Sequence, residues 1–473
     1  MWFLRPKSFS HITLTNTLSG KKENFTALRP PTVRLYSCGP TVYGPQHIGN
    51  LRAAVFSDTL ARTLAYAGYD VQRVINITDV GHMVGDGDEG EDKMSVGAKR
   101  DGTTPKEIAT RYATQYLNDI RALNINTKHI RFPRATDYIP DQVQMIRTLE
   151  KRGHTYTLPD GVYFDTSTFP AYGKLGGRDK AQLQPGARVE MVAGKKHPED
   201  FVLWRKAKPN DLQQWNSPWG KGNPGWSIEC SAMIRALLGD TIDIHTGGED
   251  HISVHHNNEI AQSEGSSGKP LARVWMHNAF LAVGGEKISK SLGNTYVLED
   301  ITKRGIHPLA FRYFLLQAHY RTPLSFSWEA LEASHEALQK LWRLARVIKS
   351  EVRTSTSNTT LASLISDDLA TPQLIAELWN ILQNTSLSAS EKWGSLEVAD
   401  SLLGLSLTNP PELPKALTLQ ELPTEVRELA QKREEARKNK DFAQSDELRI
   451  HIEKSGYRVE DTPSGALFTK TVK

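Results

Sequence analysis

The chain has 473 residues, of which 38% are hydrophobic and 24% charged, with 58 Lys and Arg against 54 Asp and Glu. A mean hydropathy of −0.46, with no apolar run near the ~18 residues that cross a bilayer, excludes an integral helical membrane protein; a net charge of +4 over this length demands no polyanionic partner. The length suits about two to four domains, and the short apolar start is no export signal, so a cytoplasmic location is expected.

The β-branched and aromatic run Val33-Arg34-Leu35-Tyr36-Ser37-Cys38, stopped by Gly39-Pro40, predicts a strand. A helix over about 51–67, ending at Gly68, and a second strand over 71–77 follow, and after a polar loop over 79–92 a helical stretch covers about 105–123. Strand, helix, strand at this spacing is the first half of a doubly wound parallel sheet. From about 131 to 224 the rhythm breaks into short aromatic strands such as Val162-Tyr163-Phe164 among Gly, Pro and Lys, which reads as an insertion. Residues 151–208 hold 11 basic and 6 acidic side chains, a surplus that suits either a phosphate-rich partner or a solvated face. The alternation resumes with a helix over 226–238, a strand over 241–246, a helix over 253–263 and a strand over 274–283. From Pro308 the pattern turns helical, with Leu331, Leu338, Leu341, Ala345 and Ile348 on one stripe, a Ser/Thr/Asn-rich linker over 354–360, and helices flanking Pro372. After the proline-rich 409–414 come a charged helix, a second helix that Asp441 can cap, and a strand-like tail.

Three constellations carry chemistry. Gly39 to Asn50, including His47-Ile48-Gly49-Asn50, falls where a strand turns into a helix; unpaired N–H groups at the helix start receive phosphate, Gly49 permits close approach, and His47 can donate to a phosphoryl oxygen. Lys287-Ile288-Ser289-Lys290-Ser291, just after a strand and the turn Gly284-Gly285, suits a clamp on a departing pyrophosphate. The third joins Cys38 and Cys230, the only two cysteines, to His255 and Glu259. Residues four apart share a helix face, so His255 and Glu259 can aim at one point, and two thiolates, an imidazole and a carboxylate lie within the ligand range of tetrahedral zinc. Taken singly, each has a bland reading: a loop histidine, a solvated lysine loop, a core thiol.

Cys38-Gly39-Pro40-Thr41-Val42-Tyr43, His47-Ile48-Gly49-Asn50, Asn76-Ile77-Thr78-Asp79, Gly225-Trp226-Ser227-Ile228-Glu229-Cys230, His255-His256-Asn257-Asn258-Glu259 and Lys287-Ile288-Ser289-Lys290-Ser291, in this order, together resemble the cysteinyl-tRNA synthetases, a class I aminoacyl-tRNA synthetase family. Asp367-Asp368-Leu369-Ala370-Thr371-Pro372 and Lys440-Asp441-Phe442-Ala443 extend the likeness along nearly the whole chain. The resemblance implies an α/β fold: a Rossmann-type doubly wound parallel sheet with a connective insertion, then an α-helical anticodon-binding domain and a small C-terminal α+β unit. The expected division is 1–130 and 225–305 for the two catalytic halves, 131–224 for the insertion, 306–350 for a linking helical region, 351–415 for a helical bundle and 416–473 for a tRNA-binding unit. It further implies activation of L-cysteine with ATP and Mg2+, then transfer to tRNA(Cys), by a monomer. In this reading Cys38, Cys230, His255 and Glu259 hold one Zn2+; His47, Gly49, Asn50, Lys287 and Lys290 attend ATP, His47, Asn50 and the two lysines catalytically; and Thr78 and Trp226 lie near the amino acid.

Asn50 and Ile288 depart from the usual His and Met of the two signatures, and the acidic loop Asp86-Gly87-Asp88-Glu89-Gly90-Glu91-Asp92 departs from the family's common form; it lacks the glutamate spacing of a calcium loop. The rival readings are a ligase of the same ancestry joining cysteine to an amino sugar, as in mycothiol synthesis, and a nucleotide-binding paralogue without turnover. The first would not need the 123 residues after Ser350, and the second would not need both phosphate motifs and the thiols.

Overall fold

The computed structural model describes residues 11–81, 92–176, 194–209, 211–287, 295–352, 360–412, 416–462 and 465–470. At its centre lies a wholly parallel sheet of β1 (Thr32–Ser37), β2 (Asp70–Ile75), β3 (Ile130–Arg131), β4 (Ile242–Gly248) and β5 (Ala272–Asn278), in the spatial order β5-β4-β1-β2-β3. The winding reverses between β1 and β4, and a crevice opens beyond the carboxyl ends of those two strands. Both faces are covered, as a parallel sheet requires. Leu35, Ile75 and Met276 belong to one core, under α1 (Ile48–Tyr66) and the helix Pro105–Ala122; Tyr36, Val74 and Trp275 belong to the other, under α2 (Trp226–Leu238) and α3 (His255–Ser267).

Several features differ from the sequence-based expectation. The insertion contains a helix, Ile139–Lys151, besides the four-stranded antiparallel sheet of Thr155–Leu158, Gly161–Phe164, Phe201–Lys206 and Gly222–Pro224. Pro140 reads as a breaker but sits in the first turn, where no intrahelical N–H is needed; Met145, Ile146 and Leu149 bury its inner face. The strand expected over 274–283 is broken after Asn278, because Phe280 is drawn aside: its N–H donates to Glu249 Oε1 at 2.7 Å and its carbonyl accepts from Arg52. Leu281–Val283 then joins a separate small sheet with Glu286–Lys287 and Leu324–Phe326.

The helices Pro308–Leu316, Trp328–Glu351, Thr371–Gln383 and Ala389–Leu403 share the first core, and the stripe Leu331, Leu338, Leu341, Ala345 and Ile348 is buried. The linker 353–359 lies outside the described residues. Pro372 falls in the first turn of its helix rather than between two. Residues 416–470 build a core of their own from Leu422, Val426, Ala430, Ile452, Val459 and Phe468. As expected, Asp441 caps the helix Phe442–Lys454, accepting from Gln444 N at 3.0 Å.

The helical region is locked to α1 by charge. Asp58 accepts from Arg62 and Arg312, each at 2.7 Å, and from Arg73 at 3.1 Å. Other donors of two of these guanidinium groups reach carbonyls at helix C-termini: Arg312 bonds Leu403 O and Leu123 O, and Arg62 bonds Asn124 O and Ser401 O. These are the negative ends of two helix dipoles, which offset the excess positive charge. Burial alone would raise the Asp58 pKa, but Arg62, Arg312 and Arg73 outweigh it and hold the carboxyl well below the usual range. Asp58→Asn therefore strands two buried cations, Arg73 and Arg312, beside the half-buried Arg62, and is expected to cost about 3–5 kcal/mol in urea unfolding at pH 7. Because the folded pKa is depressed, the wild-type advantage should be complete above the unfolded carboxyl value of about 3.9 and shrink as pH falls below it.

Candidate active site

The cavity at the switch point has a volume of about 340 Å³ and is lined by Cys38, His47, Gly49, Asn50, Thr78, Trp226, Cys230 and His255, among others. One wall is the loop leaving β1. Its Gly39 has no alternative, because a Cβ there would lie 1.8 Å from the Asn76 carbonyl oxygen; that contact lets the loops after β1 and β2 continue side by side, with Val42 N bonding Thr78 O and Thr78 N bonding Pro40 O, each at 3.0 Å. Gly39 N also donates to Asn76 Oδ1 at 2.8 Å, and Asn76 Nδ2 to Thr78 Oγ1 at 3.0 Å. His47 is the N-cap of α1, its Nδ1 accepting from Asn50 N at 3.3 Å. The 19-residue helix thus starts at the cavity, with its positive end toward it.

At the other end the four donors meet. Sγ of Cys38, Sγ of Cys230, an imidazole nitrogen of His255 and a carboxylate oxygen of Glu259 all lie within 4.8 Å of one another. Cys38 follows β1, Cys230 sits in the second turn of α2, and His255 and Glu259 lie one turn apart on α3, with Nε2 and Oε1 3.0 Å apart. Cys230, His255 and Glu259 are buried; Cys38 is half-buried. A hydrogen bond from the Cys38 thiol lowers the Cys230 pKa to about 6, with help from His255, while burial and the neighbouring Cys230 raise that of Cys38. Burial disfavours the His255 imidazolium, but Glu259 and Cys230 overcome it and push its pKa up to about 10; burial likewise opposes the Glu259 charge, yet His245 and His255 bring that carboxyl down to about 2. Two thiols, an imidazole and a carboxylate converging in this way form a donor set suited to zinc.

Histidines that no sequence spacing singles out pack behind these donors and orient them. His245 Nε2 donates to Glu259 Oε2 at 2.8 Å, leaving Oε1 toward the thiols. Ser227 Oγ lies 3.1 Å from His255 Nδ1, which turns Nε2 toward Glu259. Burial holds His256 and His277 neutral, and one consistent assignment runs Thr17 O–H to His277 Nδ1, His277 Nε2–H to His256 Nδ1, and His256 Nε2–H to Cys38 Sγ, at 2.8, 2.8 and 3.3 Å. Such partners fix ligand tautomers and rotamers. Cys38, His245, His256 and Glu259 form an overlapping second donor group.

Trp226, the first residue of α2, lies against His255, ring centroids 4.1 Å apart. Lys287 ends the two-residue strand Glu286–Lys287, its backbone paired with Ala282. Ile288, Lys290 and the acidic loop 86–91 lie outside the described residues.

A doubly wound parallel sheet whose switch-point cavity is lined by a helix N-terminus and by Cys38, Cys230 and His255 has the architecture of a class I aminoacyl-tRNA synthetase. Residues 24–336 match the family model described as tRNA synthetases class I (C) catalytic domain. The fold is similar to that of Mycobacterium tuberculosis methionyl-tRNA synthetase in complex with methionyl-adenylate, with a TM-score of 0.55 at 17% identity over 80% of this chain and 92% of that one. The chain is 44% identical over 459 residues to cysteine–tRNA ligase 1 of Burkholderia lata, covering 96% of both, and 40% identical over 484 residues to the cysteine–tRNA ligase of Treponema denticola, covering 95% of this chain and 98% of that one. The chain belongs to the cysteine–tRNA ligase family.

Proposed function

We propose that this chain activates L-cysteine with ATP and Mg2+ to cysteinyl-adenylate, releasing pyrophosphate, and transfers the cysteinyl group to tRNA(Cys), with Cys38, Cys230, His255 and Glu259 holding a zinc ion. The observation that carries this reading is the convergence of those four donors, three of which (Cys38, Cys230 and His255) line the same cavity as His47, Gly49 and Asn50 at the start of α1. Of the two overlapping donor groups, this one uses both thiols, whereas His245 is engaged with Glu259 and His256 with His277. A zinc ion held there by Cys38, Cys230, His255 and Glu259 would supply a Lewis acid that favours a thiolate over a hydroxyl. An apolar pocket would separate groups of such similar size by only about 10–200-fold.

In the first step the carboxylate of cysteine attacks the α-phosphorus and the bond to the bridging oxygen breaks, so pyrophosphate leaves. In the second a ribose hydroxyl of the tRNA end attacks the carbonyl carbon and AMP leaves. No enzyme nucleophile is required; His47, Gly49 and Asn50 at the start of α1, with Lys287 and Lys290, position the phosphates and meet their growing charge. Thr78 and Trp226 border the amino acid. The working form is taken as a monomer, and the reduced thiols of Cys38 and Cys230 suit the cytoplasm. No helix among the described residues is long and apolar enough to cross a membrane.

The test is isotopic exchange between pyrophosphate and ATP alongside metal analysis. Exchange should require L-cysteine, L-serine should support less than about one-thousandth of the rate, beyond what an apolar pocket achieves, and about one zinc should accompany each chain. Comparable exchange with serine, or full exchange by metal-free protein, would overturn the reading.

A further inference from the structure

The cavity needs positive charge at its amino-acid end, because the attacking carboxylate and the α-phosphoryl group it approaches are both anionic. Among the described residues that line it, Lys93 is the one lysine or arginine. Its Nζ lies 5.9 Å from the centroid of the Trp226 ring, within cation–π range, and the same ring packs on His255. The cation is therefore one aromatic ring away from the four-donor cluster, on the side open to the cavity.

Its position is fixed by the backbone. Lys93 is the first residue of the helix Lys93–Asp101, which Asp92 caps by accepting from Ser95 N at 2.6 Å. Met94 is buried. Gly97 presses the helix onto the loop that leads to His47, where a Cβ would come within 2.6 Å of the Tyr43 carbonyl oxygen, and Arg100 donates to that same carbonyl at 3.1 Å. The element carrying Lys93 and the loop carrying the phosphate signature are thus one packed unit.

We propose that Lys93 binds the carboxylate of the amino acid substrate, orienting it toward the α-phosphate while the thiol is held at the four-donor cluster. This rests on the cysteine reading of the cavity. A short amino acid held at its sulfur beside His255 would project its carboxylate past Trp226, toward the side of that ring on which Lys93 lies.

The test compares L-cysteine with cysteamine, which keeps the thiol and the amine but lacks the carboxylate, by titration calorimetry on the zinc-loaded full chain. Lys93→Met should weaken cysteine binding roughly 10- to 100-fold, the range of a lost charge-assisted hydrogen bond, leave cysteamine binding within about twofold, and leave zinc content unchanged; Lys93→Arg should restore most of the cysteine affinity. Unchanged cysteine binding, or equal weakening of both ligands, overturns the proposal and reduces Lys93 to a support for Trp226. Failure of the wild-type chain to bind cysteamine at all is a different result: it removes the thiol-to-metal reading, and this proposal with it.

Discussion

Cys230→Ser is expected to lower cysteine-dependent pyrophosphate exchange by about a thousandfold or more and to strip most of the bound zinc. Outer-sphere partners of a metal ligand are typically worth about 10–100-fold in affinity, so the loss of a ligand exceeds that. Serine is nearly the size of cysteine and the site is only 1% exposed, so the fold should persist by circular dichroism. The hydroxyl, however, does not ionise as a thiol does: the Cys230 thiol is already drawn down to about 6 by Cys38 and His255, ready to become the thiolate that binds zinc. His255→Ala should act in the same direction for a second reason, since it leaves Glu259 Oε1 without its partner at 3.0 Å. Ser227→Ala, which removes only the hydroxyl beside His255 Nδ1, should cost about tenfold. Retention of both metal and exchange by Cys230→Ser would mean that the thiols are core residues and that serine is excluded by other means.

The four donors were legible because two simple rules act on them. A single pair of cysteines near element ends stands out by count, and His255 and Glu259 are related by one helical turn. The histidines behind them were not legible: His245 is on β4, His256 on α3 and His277 on β5, so they meet only through the register of a parallel sheet and the helix laid over it. The helix Lys93–Asp101 was missed because it buries only Met94, Gly97 and Ala98, too little for an apolar stripe, and its glycine, read alone, signals a break. The interruption at Phe280 was hidden for the opposite reason. Ala279-Phe280-Leu281-Ala282-Val283 is continuous apolar sequence, and only tertiary bonds to Glu249 and Arg52 turn the chain. Sequence alone does not separate surface charge from buried charge at the C-terminus either: Arg433, one position from the exposed Lys432, is buried and pairs through both terminal nitrogens with Asp461 at 2.9 and 2.8 Å.

A chain ending at Glu412 should keep exchange within about twofold of the full-length rate while its charging of tRNA(Cys) falls roughly 100-fold, as expected if a few RNA contacts worth about 1–3 kcal/mol each are lost. The cut point follows from the packing. Ending at Ser350 would remove Leu374, Leu378, Leu396 and Leu402 from the core beneath α1, and with them the carbonyls of Ser401 and Leu403 that receive Arg62 and Arg312; both activities would then fail together because the catalytic region had lost its support. Residues 416–470 enclose a separate core and a three-stranded sheet of their own, and Arg458 meets Glu336 on the long helix at 3.5 Å through partly exposed side chains. Such an ion pair contributes little stability, so removing the unit should leave the cavity intact. The candidate RNA contacts that remain are local, since Arg437 also pairs with Asp461, at 3.1 Å, and Lys432, Lys438 and Lys440 are exposed. Replacing these three lysines with glutamine in the full chain should therefore raise the KM for tRNA and flatten its salt dependence without changing exchange. Parallel loss of exchange and charging on truncation at Glu412 would instead make this unit a structural part of the catalytic body.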